Sequence, residues 1–165
     1  MNSTSENFDK EFNKIYNYSL NVLTAGPKTK NQLLKKIQYK FNIIDENVIS
    51  SVTDRLEEIG LLDDALYIQA YVDSIKNSSN KNYGISLIKQ KLIQRGITKS
   101  QLDEYFKENN FDDAETIRKA ISKKYPSLKN LPKDKQKQRL LSFLGSKGFT
   151  MSLIYAEVDT FLKLK

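Results

Sequence analysis

Two acidic pairs are the most conspicuous candidates for chemistry in this chain. Asp63-Asp64 and Asp112-Asp113 recur 49 residues apart, each followed by an alanine and, three residues later, by Ile68 or Ile117. Paired carboxylates can serve as acid and base across one bond. Neighbours on a helix, however, diverge by about 100°, so neither pair can flank a single bond. Capping suits them better. One Asp side chain can accept from free backbone N–H groups at a helix start, and both charges favour the positive end of the helix dipole.

Other catalytic chemistry lacks its usual residues. The sequence has no cysteine and no histidine, which removes disulfides, thiolate nucleophiles and the commonest general base and metal ligand. The glycines are scattered at element ends and form no phosphate-cradling loop, and the carboxylates lack calcium-loop spacing. An enzyme, a cofactor and a metal are therefore not expected. No apolar run approaches the roughly 18–20 residues of a membrane span, and Met1 leads into a polar stretch, so a cytoplasmic protein without membrane contact is expected.

The remaining chemistry is positive charge. Residues 1–80 hold 9 Lys/Arg against 11 Asp/Glu, whereas residues 81–165 hold 18 against 9. From Arg118 to Lys147 there are ten basic residues, and Asp134 is the sole acid. Such asymmetry suits an acidic partner or nucleic acid. A solvated face on a Lys-rich protein would look the same.

The elements that must position these charges read as helices. Met1–Asn7 is expected to be a frayed tail. Phe8–Leu23 has helical apolar spacing and stops at Ala25-Gly26-Pro27. Thr29-Lys30-Asn31-Gln32 has capping-box form and opens a helix to about Lys40, with Leu33, Leu34 and Ile37 inward. A third helix starts at Asp45 or Asn47, with Val48, Ile49, Val52, Leu56 and Ile59 on one stripe, and ends at Gly60. The plan repeats. Asp63-Asp64 opens a helix burying Leu66, Ile68, Tyr71, Val72 and Ile75, and Asn77–Asn80 is a polar loop. Tyr83-Gly84 leads into a helix ending at Arg95-Gly96, where Gly96 suits a left-handed cap. Thr98–Gln101 is a further capping box. Asp112-Asp113 opens a third round that breaks at Pro126. Pro132 starts the next helix, which ends at Lys147-Gly148, and a last helix carries Leu153 to Leu162.

The expected fold is all-α: three tandem three-helix repeats over residues 1–60, 61–110 and 111–165, in an elongated, curved array whose apolar stripes pack against neighbours. Residues 85–106 also outline a helix-turn-helix DNA reader. Its second helix carries Asp103 and Glu104, with Glu108 just beyond, which phosphate would repel; two packed helices of a repeat fit better.

The run Gly60-Leu61-Leu62-Asp63-Asp64, Tyr71-Val72-Asp73-Ser74, Tyr83-Gly84, Ile88, Lys91-Leu92 and Arg95-Gly96-Ile97 resembles the central signature of the RecX family of RecA regulators. Ser19-Leu20 and Gly26-Pro27-Lys28-Thr29 resemble the family's opening motif, with Gly26 and Lys28 where arginines are usual. Phe143-Leu144 and Lys147-Gly148-Phe149 resemble its closing motif. The resemblance runs from about Phe12 to the end. It implies a cofactor-free, monomeric, non-enzymatic protein. Such a protein binds the RecA recombinase filament on single-stranded DNA and inhibits ATP hydrolysis and strand exchange. Single-stranded DNA would be met weakly or through RecA. Contacts are then expected from Lys91 and Arg95, and from Lys119, Lys123, Lys124, Lys133, Lys137 and Arg139. The rival expectation is a helical nucleic-acid-binding module acting without RecA, which would bind naked oligonucleotides as tightly.

Overall fold

The structure is a computed structural model that describes residues 2–42, 45–78 and 81–164. Among these residues there are nine α-helices and no strand. They are α1 (Asn2–Thr24), α2 (Lys30–Lys40), α3 (Glu46–Glu58), α4 (Asp64–Lys76), α5 (Ile85–Ile93), α6 (Lys99–Glu108), α7 (Asp113–Lys124), α8 (Lys133–Ser146) and α9 (Met151–Lys163), with a 3₁₀ turn at Tyr125–Ser127. The expected tail is a correction. From Asn2 the chain is already helical, because nothing between Asn2 and Phe8 breaks the helix. Met1, and Ser79 and Asn80 of the expected polar loop, lie outside the described residues.

The starts of the helices follow the local chemistry. Thr29 closes the capping box: its Oγ1 accepts from the Gln32 N–H at 3.1 Å, and Gln32 Oε1 accepts from the Thr29 N–H at 3.1 Å. Asp45 caps α3, and Pro132 occupies the cap position of α8. The loop before α8 is tied by the buried Gln136, whose amide donates to the Leu131 and Lys129 carbonyls at 2.8 and 3.2 Å.

The chain divides into two compact units, 1–69 with 94–98, and 70–93 with 99–165. In the first, α1 packs on α2 and α3 around Ile15, Leu33, Ile37, Val48, Val52, Leu56 and Leu62. In the second, α7, α8 and α9 close around Ile117, Ala120, Ile121, Leu140, Leu144, Ile154 and Val158. Full burial of each large apolar side chain among these is worth about 1.5–3 kcal/mol. Two expected core positions are corrections. Leu66 is 60% exposed and Ile59 is 41% exposed. On α4 the buried stripe is Ile68, Val72 and Ile75; Leu66 lies two residues before Ile68, about 200° round the helix and so on the far side. Ile59 comes after the last helical residue of α3, so the stripe no longer governs it.

Each acidic pair does two jobs. Asp63 caps α4, its Oδ1 accepting from Ala65 and Leu66 N–H at 2.8 and 2.9 Å. Asp112 caps α7 in the same way, from Ala114 and Glu115 at 2.8 and 3.0 Å. The second aspartate reaches a different helix. Asp64 Oδ1 accepts from the Lys30 N–H at 2.9 Å at the start of α2, and Asp113 Oδ1 accepts from the Ile85 N–H at 3.1 Å at the start of α5. The first aspartate is the residue before the helix, extended in the case of Asp112, and the second is the first helical residue, so the two side chains diverge and one cap and one cross-tie are served together.

Those ties sit in two equivalent joints. In the first unit the Thr29 hydroxyl donates to the Arg95 carbonyl at 2.5 Å, and Gly96, at φ +89°, lies against Asn31. In the second unit the Gly84 N–H donates to the Lys147 carbonyl at 2.9 Å, and Gly148, at φ +81°, lies against Leu87. A Cβ on Gly84 would sit 2.5 Å from the Gly148 carbonyl oxygen, so the close approach demands glycine.

Candidate functional site

The second joint gathers lysines around aromatic rings. Tyr83 immediately precedes Gly84, and Lys147 immediately precedes Gly148, so joining the two glycines brings their neighbours together. Lys147 Nζ lies 5.0 Å from the centre of the Tyr83 ring and 5.6 Å from that of Phe143, one turn earlier on α8. Lys91, in the last turn of α5, places its Nζ 5.4 Å from the Tyr83 ring. Lys124, the last residue of α7, places its own 5.7 Å from Phe143. An ammonium over a ring gains about 0.5–1 kcal/mol where it is exposed. A ring holds an ammonium in place yet does not cancel its charge as a carboxylate does.

Beside Phe143, Lys124 and Lys147 is an open cavity of about 240 Å³, lined by these three with Asn82, Ala120 and Lys123. Among the described residues its lining contains no carboxylate. Ala120, fully buried, forms the floor one turn before Lys124. Positive charges that converge on a concave surface focus potential into it.

The other expected contact residues are placed differently. Lys119 pairs with Glu115 at 2.7 Å along α7 and lines a second cavity, of about 270 Å³, that also holds Asp112 and Glu115. Lys137 pairs with Asp159 at 2.7 Å, and that hydrogen bond holds its ammonium above the ordinary lysine range. Lys133 shares a surface with Lys137, Asp134 and Asp159. Arg139 is exposed on α8. Arg95 is half-buried, and its carbonyl is used by the first joint. Arg118 on α7 makes a two-pronged pair with Glu157, both bonds 2.8 Å, which raises its own proton affinity. Thus Lys123 and Lys124 line one cavity of the second joint and Lys91 lies on its Tyr83 ring, while Lys119 and Lys137 are paired with acids and Lys133 shares a surface with two of them.

Tyr83, Phe143 and Lys147 complete the cluster, although the sequence reading does not single them out for binding. A signal is there to find. Lys147-Gly148 follows the same basic-residue-then-glycine pattern as Arg95-Gly96. Among the described residues, no group of three or more His, Cys, Asp or Glu side chains could hold a metal ion, and no helix is long and apolar enough to cross a membrane.

Comparison with known proteins agrees along most of the chain. A family model described as "RecX, third three-helix domain" matches residues 112–157. The regulatory protein RecX of Clostridioides difficile (strain 630) is 30% identical over 147 residues, covering 88% of this chain and 67% of that protein. The regulatory protein RecX of Streptococcus agalactiae serotype V is 28% identical over 144 residues, 87% of this chain. The chain spans about half of that streptococcal relative's length, 54%. A crystal structure of regulatory protein RecX superposes with a TM-score of 0.76 at 26% identity, covering 90% of this chain and 73% of that one. The structure of RecX from Lactobacillus salivarius gives a TM-score of 0.82 over 95% of this chain and 99% of that one; at 22% identity this speaks for the fold alone.

Proposed function

Because this chain belongs to the RecX family, we propose that it is a regulator that binds the RecA recombinase filament on single-stranded DNA. Binding inhibits ATP hydrolysis and strand exchange and so modulates recombination and repair. The observation that carries the proposal is the likeness to RecX proteins, which extends over 88% of the chain in one relative. The protein acts without a catalytic step of its own, as a cytoplasmic monomer.

The repeat boundaries belong to the same proposal. Residues 1–60, 61–110 and 111–165 are three units of one plan, a division supported by the two equivalent joints at Thr29/Arg95 and Gly84/Lys147. Contacts to the filament come first from Lys91, Lys123 and Lys124 with Lys147. Lys119, Lys133, Lys137, Arg139 and Arg95 contribute around them. Lysine contacts to phosphate or to acidic protein surface add affinity that falls with salt.

The test is RecA ATPase on single-stranded DNA at modest salt, with the protein added up to stoichiometric amounts. Inhibition is expected. Unchanged hydrolysis at one protein per RecA subunit would remove the proposal. The cluster of lysines also favours a second reading, a nucleic-acid-binding module that acts without RecA. That reading predicts tight binding to naked oligonucleotides with no effect on RecA.

A further inference from the structure

The cavity at the second joint has the composition of a phosphate site. Lys124 and Lys147 reach it from the ends of two helices, with their ammonium groups already set over the Phe143 ring. Lys123 and the Asn82 side chain line the same wall. Each ammonium offers three donors and the amide two, with one acceptor among them. Such a donor-rich wall suits a group with several anionic oxygens, and phosphate presents more than a carboxylate does. The rings matter here. A lysine held by a carboxylate has given up much of its field, whereas one held by a ring retains it.

The size of the cavity narrows the source of the phosphate. At about 240 Å³ it falls below the roughly 300–1,000 Å³ typical of pockets that enclose whole small molecules. It accommodates one group of a larger ligand that continues outside. A nucleic-acid strand presents phosphates in that way; a free nucleotide would leave its base unenclosed. The aromatic faces are already covered by ammonium groups, so the site reads backbone charge and carries no base preference.

We infer that Asn82, Lys123, Lys124 and Lys147 form a pocket that binds a backbone phosphate of a nucleic-acid strand directly, without RecA. This deepens the proposed function by giving the chain its own contact to DNA, and it stands or falls separately from RecA inhibition. The probe is a fluorescein-labelled 20-residue oligothymidylate, followed by anisotropy with the full chain and no RecA. For K124A/K147A, affinity falls at least about tenfold at low salt. The slope of log affinity against log salt flattens by about 0.7 for each phosphate the variant no longer neutralises. K147R, which keeps the charge, stays within about threefold of the parent. K35A/K40A, an equal removal of charge from exposed positions of α2, changes affinity by less than about twofold. Circular dichroism melting checks that each variant is folded, and K124Q alone replaces the double variant should it fail.

An unchanged affinity and salt slope for K124A/K147A overturns the pocket. So does a weakening no greater than that of K35A/K40A. Displacement of the strand by inorganic phosphate or thymidine monophosphate, beyond the effect of sodium chloride at equal ionic strength, overturns the assignment to a strand. A chain that inhibits RecA but shows no such pocket leaves the regulatory proposal standing. One that binds the oligonucleotide through these lysines but spares RecA does the reverse.

Discussion

The two joints share one backbone plan and differ in what they carry. Both place the start of one helix against the end of a later one, and both have an aspartate accepting from the incoming helix: Asp64 in the first, Asp113 in the second. In the first joint the remaining tie is a side chain, the Thr29 hydroxyl on the Arg95 carbonyl. In the second it is backbone to backbone, Gly84 N–H to the Lys147 carbonyl. The residue before the joint differs as well. Lys28 turns back on its own turn, donating to the Gly26 and Pro27 carbonyls at 2.9 and 3.2 Å. Tyr83, in the equivalent place, offers a ring to Lys91 and Lys147. A shared plan thus supplies the geometry, and the several residues placed on it make one joint a structural tie and the other a charged cleft.

If the second joint depends on two glycines, filling that space should produce the largest drop in stability. Gly148→Ala combines a left-handed backbone, costing about 1–2 kcal/mol, with overpacking against Leu87, about 1–3 kcal/mol. A total of about 3 kcal/mol is expected in urea unfolding. Gly60→Ala has φ +71° but open space around it, so it should show only the backbone part, about 1–2 kcal/mol. Equal destabilisation by the two would mean that the close approach at the second joint is not tight.

The first joint is probed by Thr29→Ala, which removes both the α2 cap and the tie to Arg95. A destabilisation of about 1–2 kcal/mol is expected from the midpoint and slope of urea unfolding, and Thr29→Ser should restore most of it. An unaltered midpoint for Thr29→Ala would show that the side-chain tie is dispensable.

The smallest effect concerns pH. Burial raises the Asp113 carboxyl above its ordinary value; the Ile85 N–H opposes the shift and Asp112 adds to it. A carboxyl raised by folding favours the fold most below its unfolded pKa of 3.8, and that contribution disappears as pH rises through the higher folded value. Asp113→Asn keeps an acceptor for the Ile85 N–H but cannot ionise. Its stability relative to the parent should therefore rise between about pH 3 and neutrality, as measured by thermal unfolding across that range. A difference that stays flat with pH would remove this account of Asp113.

Much of this architecture is legible in residue order. Thr29 and Gln32 announce α2, the two aspartate pairs announce α4 and α7, and Gly96 and Gly148 mark equivalent helix ends. These are local signals, decided within a turn of the chain. Cross-ties are not local. Nothing near Asp64 or Asp113 indicates that the second carboxylate of each pair reaches a helix 34 or 28 residues earlier. An apolar residue also misleads when it lies opposite the buried stripe, as Leu66 shows by facing solvent. The basic cleft is half visible. Lys91, Lys123 and Lys124 stand out by charge, but Tyr83, Phe143 and Lys147 join them only after the glycines have met.

The most direct measurement is RecA ATPase on single-stranded DNA, titrated with the parent chain, K124A/K147A and K35A/K40A side by side. The account predicts inhibition by the parent and by K35A/K40A at similar concentrations, and at least about tenfold more K124A/K147A for the same effect. Inhibition by all three at the same concentration would contradict the role given to the second joint.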